Sequence, residues 1–240
     1  MTLHCSVFST LNKIMAFLFV HQVETTLGMT PENNIKPFDT IGGFKTDEHY
    51  KIGELIYFKM DELRVLTLPN GVVIKFEQIV ALAGDYYGLP KQPIIDPFKG
   101  NEDSGRCQRF IDAYDTLARA PKDDLKNELD KLLDTLKKEC EDGENTDDKT
   151  WDEMTGGKWL GSLPVKQGRM LQLAENNHDH FLPYAKDAYL TGHQLAIDKA
   201  REAGNHLFQD MQKELLDEAF SMEAFACHFL TDSFASGHIR

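Results

Sequence analysis

Cysteine is scarce in this sequence: Cys5, Cys107, Cys140 and Cys227 are spread over 240 residues and form no C-x-x-C pair. Neither a zinc ribbon nor a disulfide scaffold can organise such a protein, and the thiols are expected to be mostly buried. Long apolar runs are also lacking. The strongest, Ile14 to Val20, is far below the ~20 residues that a membrane-spanning helix needs, so no transmembrane segment is expected. Lys13 alone precedes it and His21-Gln-Val-Glu24 is not a small-residue cleavage site, which favours a buried N-terminal helix over a signal peptide. Basic residues are outnumbered: 26 Lys and Arg face 39 Asp and Glu, a formal charge of −13. No stable complex with nucleic acid is expected, because polyanions and strongly anionic surfaces reward the opposite sign. No period of 20 to 50 residues repeats, which excludes a solenoid.

What is present suits a globular protein, with 41% hydrophobic and 27% charged residues. Residues 5 to 29 carry apolar positions at helical spacing and stop at Gly28, and residues 30 to 47 read as loop. Between Arg64 and Phe76, Val65 and Thr67 alternate toward Pro69-Asn70-Gly71, and Val72 and Ile74 alternate away from it. Asn-Gly between β-branched runs signals a two-stranded hairpin. Phe76 to Tyr86 then turns helical, and Gly88 to Asn101 is loop. Phe110, Ile111, Tyr114, Leu117 and Ala118 mark one amphipathic helix; Leu125, Leu129, Leu132, Leu133 and Leu136 mark a second, joined near Pro121. The acidic stretch from Glu139 to Glu153, continuing to residue 158, reads as a solvated loop. Two last helices cover Pro183 to Ala203, ending at Gly204, and Met211 to Ala235. The fold class is mainly α, a multi-helix single domain over residues 1–240 with one small β-hairpin at 64–76 and an acidic loop at 139–158.

Chemistry concentrates near the C-terminus. His228 and Asp232 lie four apart on the final helix, which puts an imidazole and a carboxylate on one face within reach of a single ion. Ser221, Ala224 and Ala235 flank that face and leave room that Leu or Phe would fill. Ser236-Gly237 breaks the helix, and His238 follows where a turning backbone can swing it back. Upstream, Asn176-Asn177-His178-Asp179-His180-Phe181 packs two imidazoles and a carboxylate into six residues, of which one His is expected to be functional.

The run from His180 to His238 resembles the bacterial zinc-dependent phospholipases C of the alpha-toxin type, whose superfamily also holds single-strand-specific nucleases. The likeness rests on His180-Phe181, on the helix Tyr184-Ala-Lys-Asp-Ala-Tyr-Leu-Thr-Gly192 and on His228-Phe-Leu-Thr-Asp232-Ser-Phe-Ala-Ser-Gly-His238. It implies an all-helical domain holding two or three zinc ions, with His180, His228 and Asp232 on the first, Asp232 bridging to a second and His238 on a third. It also implies an upstream aspartate that acts as ligand and catalytic base. Asp85 in Leu82-Ala-Gly-Asp85-Tyr-Tyr87 is the best match, with the helices of residues 106 to 140 as an insertion between it and His180. An N-terminal histidine ligand is implied as well, and His49 is preferred to His21, which sits on an apolar helix. The remaining ligands of the third zinc are expected beyond Arg240, so the sequence is expected to be incomplete at its C-terminal end and weakly active.

The implied activity is phosphodiester hydrolysis by metal-activated water, with phospholipid at a membrane surface as substrate and single-stranded nucleic acid as the alternative. A non-catalytic helical module with an incomplete metal site is the third reading. Export is implied by the resemblance. His193 is expected on the helix surface or behind the ligands, and Trp151 and Trp159 against the core.

Overall fold

The structure, a computed structural model, describes residues 46–55, 65–99, 104–143 and 145–234. Among them are eight α-helices and two short antiparallel hairpins, so the fold is mainly α. In sequence order these are α1 (Thr46–Glu54), β1 (Val65–Thr67), β2 (Val73–Lys75), α2 (Phe76–Leu82), α3 (Arg106–Ala118) and α4 (Lys122–Asp142). Then follow α5 (Asp148–Met154), β3 (Lys158–Leu160), β4 (Leu163–Lys166), α6 (Arg169–Ala174), a 3-10 turn (His178–His180), α7 (Tyr184–Asn205) and α8 (Gln209–Asp232). The segments around Cys5, Ile14–Val20 and His21 lie outside the described residues. No helix among the described residues is long and apolar enough to cross a membrane.

The hairpin at Pro69-Asn70-Gly71 forms, with Leu66 paired to Ile74, both buried, and Val65 and Val73 turned outward. Gly71 takes the positive φ of +78° that the turn requires. Asn70 does more than turn the backbone: its side chain donates to the carbonyls of Leu117 and Ala120, and its backbone N–H to that of Ala118. One Asn thus satisfies the end of α3, where helical carbonyls lack partners.

α8 is the central element, with Phe220, Ala224, Phe225, Ala226 and Phe229 in the core beside buried His228 and Asp232. Its partner α7 meets it through small residues, Ala185, Ala188, Gly192, Ala196, Ala200 and Ala203, which let the two backbones approach closely. The tightest point is Gly192. A Cβ there would stand 2.2 Å from Phe110 Cε2 on α3 and 2.7 Å from Ala226 Cβ on α8, so three helices meet where a side chain is missing.

Several expectations are corrected. The helix after β2 ends at Leu82 rather than Tyr86, because Gly84 at φ +70° turns the backbone out of the helix. The acidic stretch is not one loop: α4 runs on to Asp142, stops at left-handed Gly143, and α5 follows, its N–H of Thr150 capped by Asp147 Oδ1 at 2.8 Å. Charge patterning misses α5 because only Trp151 and Asp152 are buried in it, and one of those is itself acidic. The second hairpin, β3–β4, is absent from the expected elements although Gly161-Ser162 is a two-residue hairpin signal, with Gly161 at φ +62°. Helix α7 passes through Gly204 to Asn205, and α8 begins at Gln209 and ends at Asp232. Of the described thiols, Cys227 is buried, Cys140 intermediate and Cys107 exposed, so burial is not their common state.

Replacing Gly192 by Ala is expected to cost a net ~1–2 kcal/mol, because overpacking against Phe110 and Ala226 outweighs the ~1 kcal/mol that Ala gains in helix propensity. Urea unfolding checks this; an unchanged or raised midpoint contradicts the three-helix contact.

Candidate metal centre

The early end of α2 prepares the site. Gly84 N–H turns to the carbonyl of Tyr87, and the Val80 carbonyl accepts instead from His228 Nδ1 at 2.9 Å. With Nδ1 committed as donor, Nε2 of His228 keeps its lone pair and faces inward. There it lies 3.4 Å from His180 Nδ1, 3.6 Å from Asp232 Oδ2 and 3.9 Å from Asp85 Oδ1.

His180 enters from the 3-10 turn. Its Nδ1 lies 3.0 Å from Asp232 Oδ2 and 3.7 Å from Asp85 Oδ1. Its other nitrogen, Nε2, faces Asp179 Oδ1 at 3.9 Å, and Asp179 is in turn held by the Ile94 N–H at 2.6 Å. His49 arrives from α1. Its ring stacks on His228 with centroids 4.6 Å apart, and its Nε2 lies 3.5 Å from Asp232 Oδ1. The Thr231 hydroxyl donates to the His228 carbonyl at 2.7 Å, which leaves its oxygen to accept from His49 Nδ1 at 2.6 Å. His49 therefore also carries its proton on the outer nitrogen and aims a lone pair at the cluster.

Three separate elements and the turn after α2 thus bring His49, Asp85, His180, His228 and Asp232 together. Two overlapping groups of these residues could hold a metal ion, His49–Asp85–His228 and His180–His228–Asp232, each with donor atoms within 4.8 Å of one another. The second group fits a single ion closely. Tetrahedral bonds of about 2.0–2.2 Å separate neighbouring ligand atoms by roughly 3.3–3.6 Å, and the three separations here are 3.0, 3.4 and 3.6 Å. Asp232 turns Oδ2 toward His180 and His228 and Oδ1 toward His49, so its two oxygens serve different sides.

Space for this arrangement comes from Gly84. A Cβ there would lie 2.4 Å from His228 Cδ2 and 2.8 Å from His180 Cε1, and the φ of +70° excludes most side chains in any case. Beside Gly84 and His180 opens a small cavity of about 30 Å³, room for roughly two waters, with Asn176, Asn177, Asp179 and Phe229 in its wall.

Burial dominates the electrostatics. It lowers the pKa of His228 well below the ordinary histidine value and lowers that of His49. At His180 burial also pulls down, but Asp232, Asp85 and Asp179 outweigh it and raise the group to about 10. Asp85 is pushed up to about 7 by burial, whereas the imidazoles around Asp232 overcome its burial and hold it below the usual carboxylate range. Without a cation the cluster is therefore kept together by one imidazolium facing carboxylates.

His238 lies outside the described residues. Of the His pair in the loop, His180 joins the cluster, while His178 is exposed and stands edge-on to Phe98. His193 is not a ligand here: its Nδ1 lies 2.8 Å from Glu223 Oε2, between α7 and α8. Trp151 is buried against Tyr86, and Trp159 is half-buried with its Nε1 donating to Asp152. Sequence reasoning passes over four contributors, Val80, Gly84, Asp179 and Thr231. Two carry a signal: a Gly directly after a helical run and before Asp85, and an Asp between two histidines.

Metal must displace the His180 proton, since that group stays protonated up to about pH 10 in the metal-free protein. Binding of the ion at His180 at neutral pH is expected to release at least one proton, and its apparent affinity to fall about tenfold per pH unit on acidification. Calorimetry in two buffers of different ionisation enthalpy reads this; buffer-independent heats contradict it. Comparison with family models, with curated proteins and with solved structures finds no match for this protein.

Proposed function

We propose that this protein is a zinc-dependent phosphodiesterase acting on phospholipid head groups. The observation that carries the reading is the convergence of three imidazoles and two carboxylates, from positions 49, 85, 180, 228 and 232, on one buried point. Mixed imidazole and carboxylate donors at tetrahedral spacing suit zinc; magnesium and calcium prefer oxygen alone. His180, His228 and Asp232 would hold one ion; His228 has a single inward lone pair and serves that ion alone, so His49, Asp85 and the second oxygen of Asp232 would hold another. Zinc bound there supplies a Lewis acid that lowers the pKa of water from 15.7 to about 7 and polarises phosphoryl oxygens.

The protein's own residues supply orientation and charge. Val80 and Thr231 fix two imidazoles through hydrogen bonds, and Asp179 faces the third at 3.9 Å, which limits the reorganisation that turnover would need. Asp85 and Asp232 contribute two negative charges, which neutralise one dication and leave a second free to attract an anionic phosphodiester. Asp85 is the most exposed of the five side chains, at 11%, which suits a group that takes a proton from an attacking water. Phospholipid is preferred to single-stranded nucleic acid because the net charge of the protein is −13.

The test uses zinc-loaded protein with phosphatidylcholine and with a single-stranded oligonucleotide. Release of phosphocholine, abolished by chelator and restored by zinc, is expected. Asp85→Asn should lower turnover by about 10²-fold or more while retaining zinc through the His180–His228–Asp232 group. Cleavage of the oligonucleotide alone, or turnover unaffected by chelator, contradicts the reading.

A further inference from the structure

The β3–β4 hairpin stands away from the body with its apolar side chains in the open. Leu160 is 75% exposed, Leu163 72% and Val165 70%, and every residue from 160 to 166 is exposed. A Cβ added at Gly161, at the tip, would meet no atom within 4 Å. Leu160 pairs directly with Leu163, and Val165 shares their face by alternation, so the three form one outward apolar surface. Trp159 lies on the opposite face, where its Nε1 donates to Asp152 Oδ2 at 2.8 Å.

The base, by contrast, is fastened firmly. Asp152 has no exposed surface and accepts from the Gly157 N–H through its carbonyl and from the Gly168 N–H through Oδ1, so both strands spring from one buried residue. A two-stranded hairpin is marginal in water by itself. This one is presented by its attachment rather than by a sheet or helix covering it. The same base reaches the metal cluster: Arg169, three residues beyond β4, donates to the Tyr86 carbonyl and stacks over the Tyr87 ring, next to Asp85.

The charge around the tip decides what covers it. From Met154 to Ala174 there is no acidic residue, although the whole sequence holds 39, while Lys158, Lys166 and Arg169 fall inside the stretch. Lys158 and Lys166 pair at the base of the hairpin, and a third lysine reaches its tip, Lys149 Nζ lying 3.4 Å from the Gly161 carbonyl. Leucines that can leave water, on a hairpin that carries no carboxylate of its own, and lysines long enough to reach phosphates suit a phospholipid interface.

From this we infer that the 158–166 hairpin docks the protein on a phospholipid bilayer surface. The lipid is the substrate only if the phosphodiesterase reading holds; docking itself needs no metal. The full-length protein, in chelator, is to be sedimented with phosphatidylcholine vesicles beside the double variant Leu160→Ser, Leu163→Ser. Wild type should pellet with vesicles, and the variant's partitioning should fall at least about tenfold, as loss of two buried apolar groups requires. Both should remain monomeric in sedimentation velocity and equally helical by circular dichroism. Wild type that stays in the supernatant, a variant that binds as well, or self-association of wild type that the substitutions abolish would overturn the inference. Hydrolysis of a water-soluble phosphodiester by zinc-loaded protein separates the two readings. If it fails in both forms while vesicle binding depends on the hairpin, the catalytic reading falls and docking stands; if it proceeds in both without vesicle binding, docking falls alone.

Discussion

Everything in this structure is arranged around a carboxylate that has left water entirely. Asp232 is fully buried, and an ion in that position is expensive unless it is matched by opposite charge. His180 supplies the match at 3.0 Å, with His228 and His49 close by. Those partners come from segments as far away as α1, so the pairing of Asp232 also fixes where α1 and the 178–180 turn must pack. A bound cation of the kind proposed would take over the role that the His180 imidazolium plays in its absence.

The same constraint explains the sequence around the cluster. Gly84 leaves the space for two imidazoles, and its positive φ ends α2 early enough to release the Val80 carbonyl for His228. Thr231, one residue before Asp232, uses one hydroxyl to tie its own helix to α1, bridging positions 182 apart in sequence. Small residues along α7 let α8 sit deep enough for its charged end to be enclosed. Strength of packing and placement of ligands are thus outcomes of the same few side-chain sizes.

Much of this is legible in one dimension. The heptad-like leucines of α4, the Asn-Gly hairpin and the four-residue step from His228 to Asp232 each follow from a visible period. Asp85 and His49 are selected through resemblance, not spacing, and geometry joins both to the cluster. What escapes depends on three-dimensional neighbours. Asp152 reads as one more acid in an acidic stretch, yet it is buried and anchors a hairpin through the N–H groups of two glycines. The carbonyl that orients His228 belongs to Val80, whose side chain says nothing about it.

The central claim is that imidazole and carboxylate groups of positions 49, 85, 180, 228 and 232 together form a zinc centre. Zinc K-edge X-ray absorption of the loaded protein addresses it most directly. The expected spectrum has a first shell of nitrogen and oxygen only, at about 2.0–2.2 Å, with imidazole scattering that His228→Ala alters. A sulfur shell near ~2.3 Å, or a spectrum indifferent to His228→Ala, would contradict it.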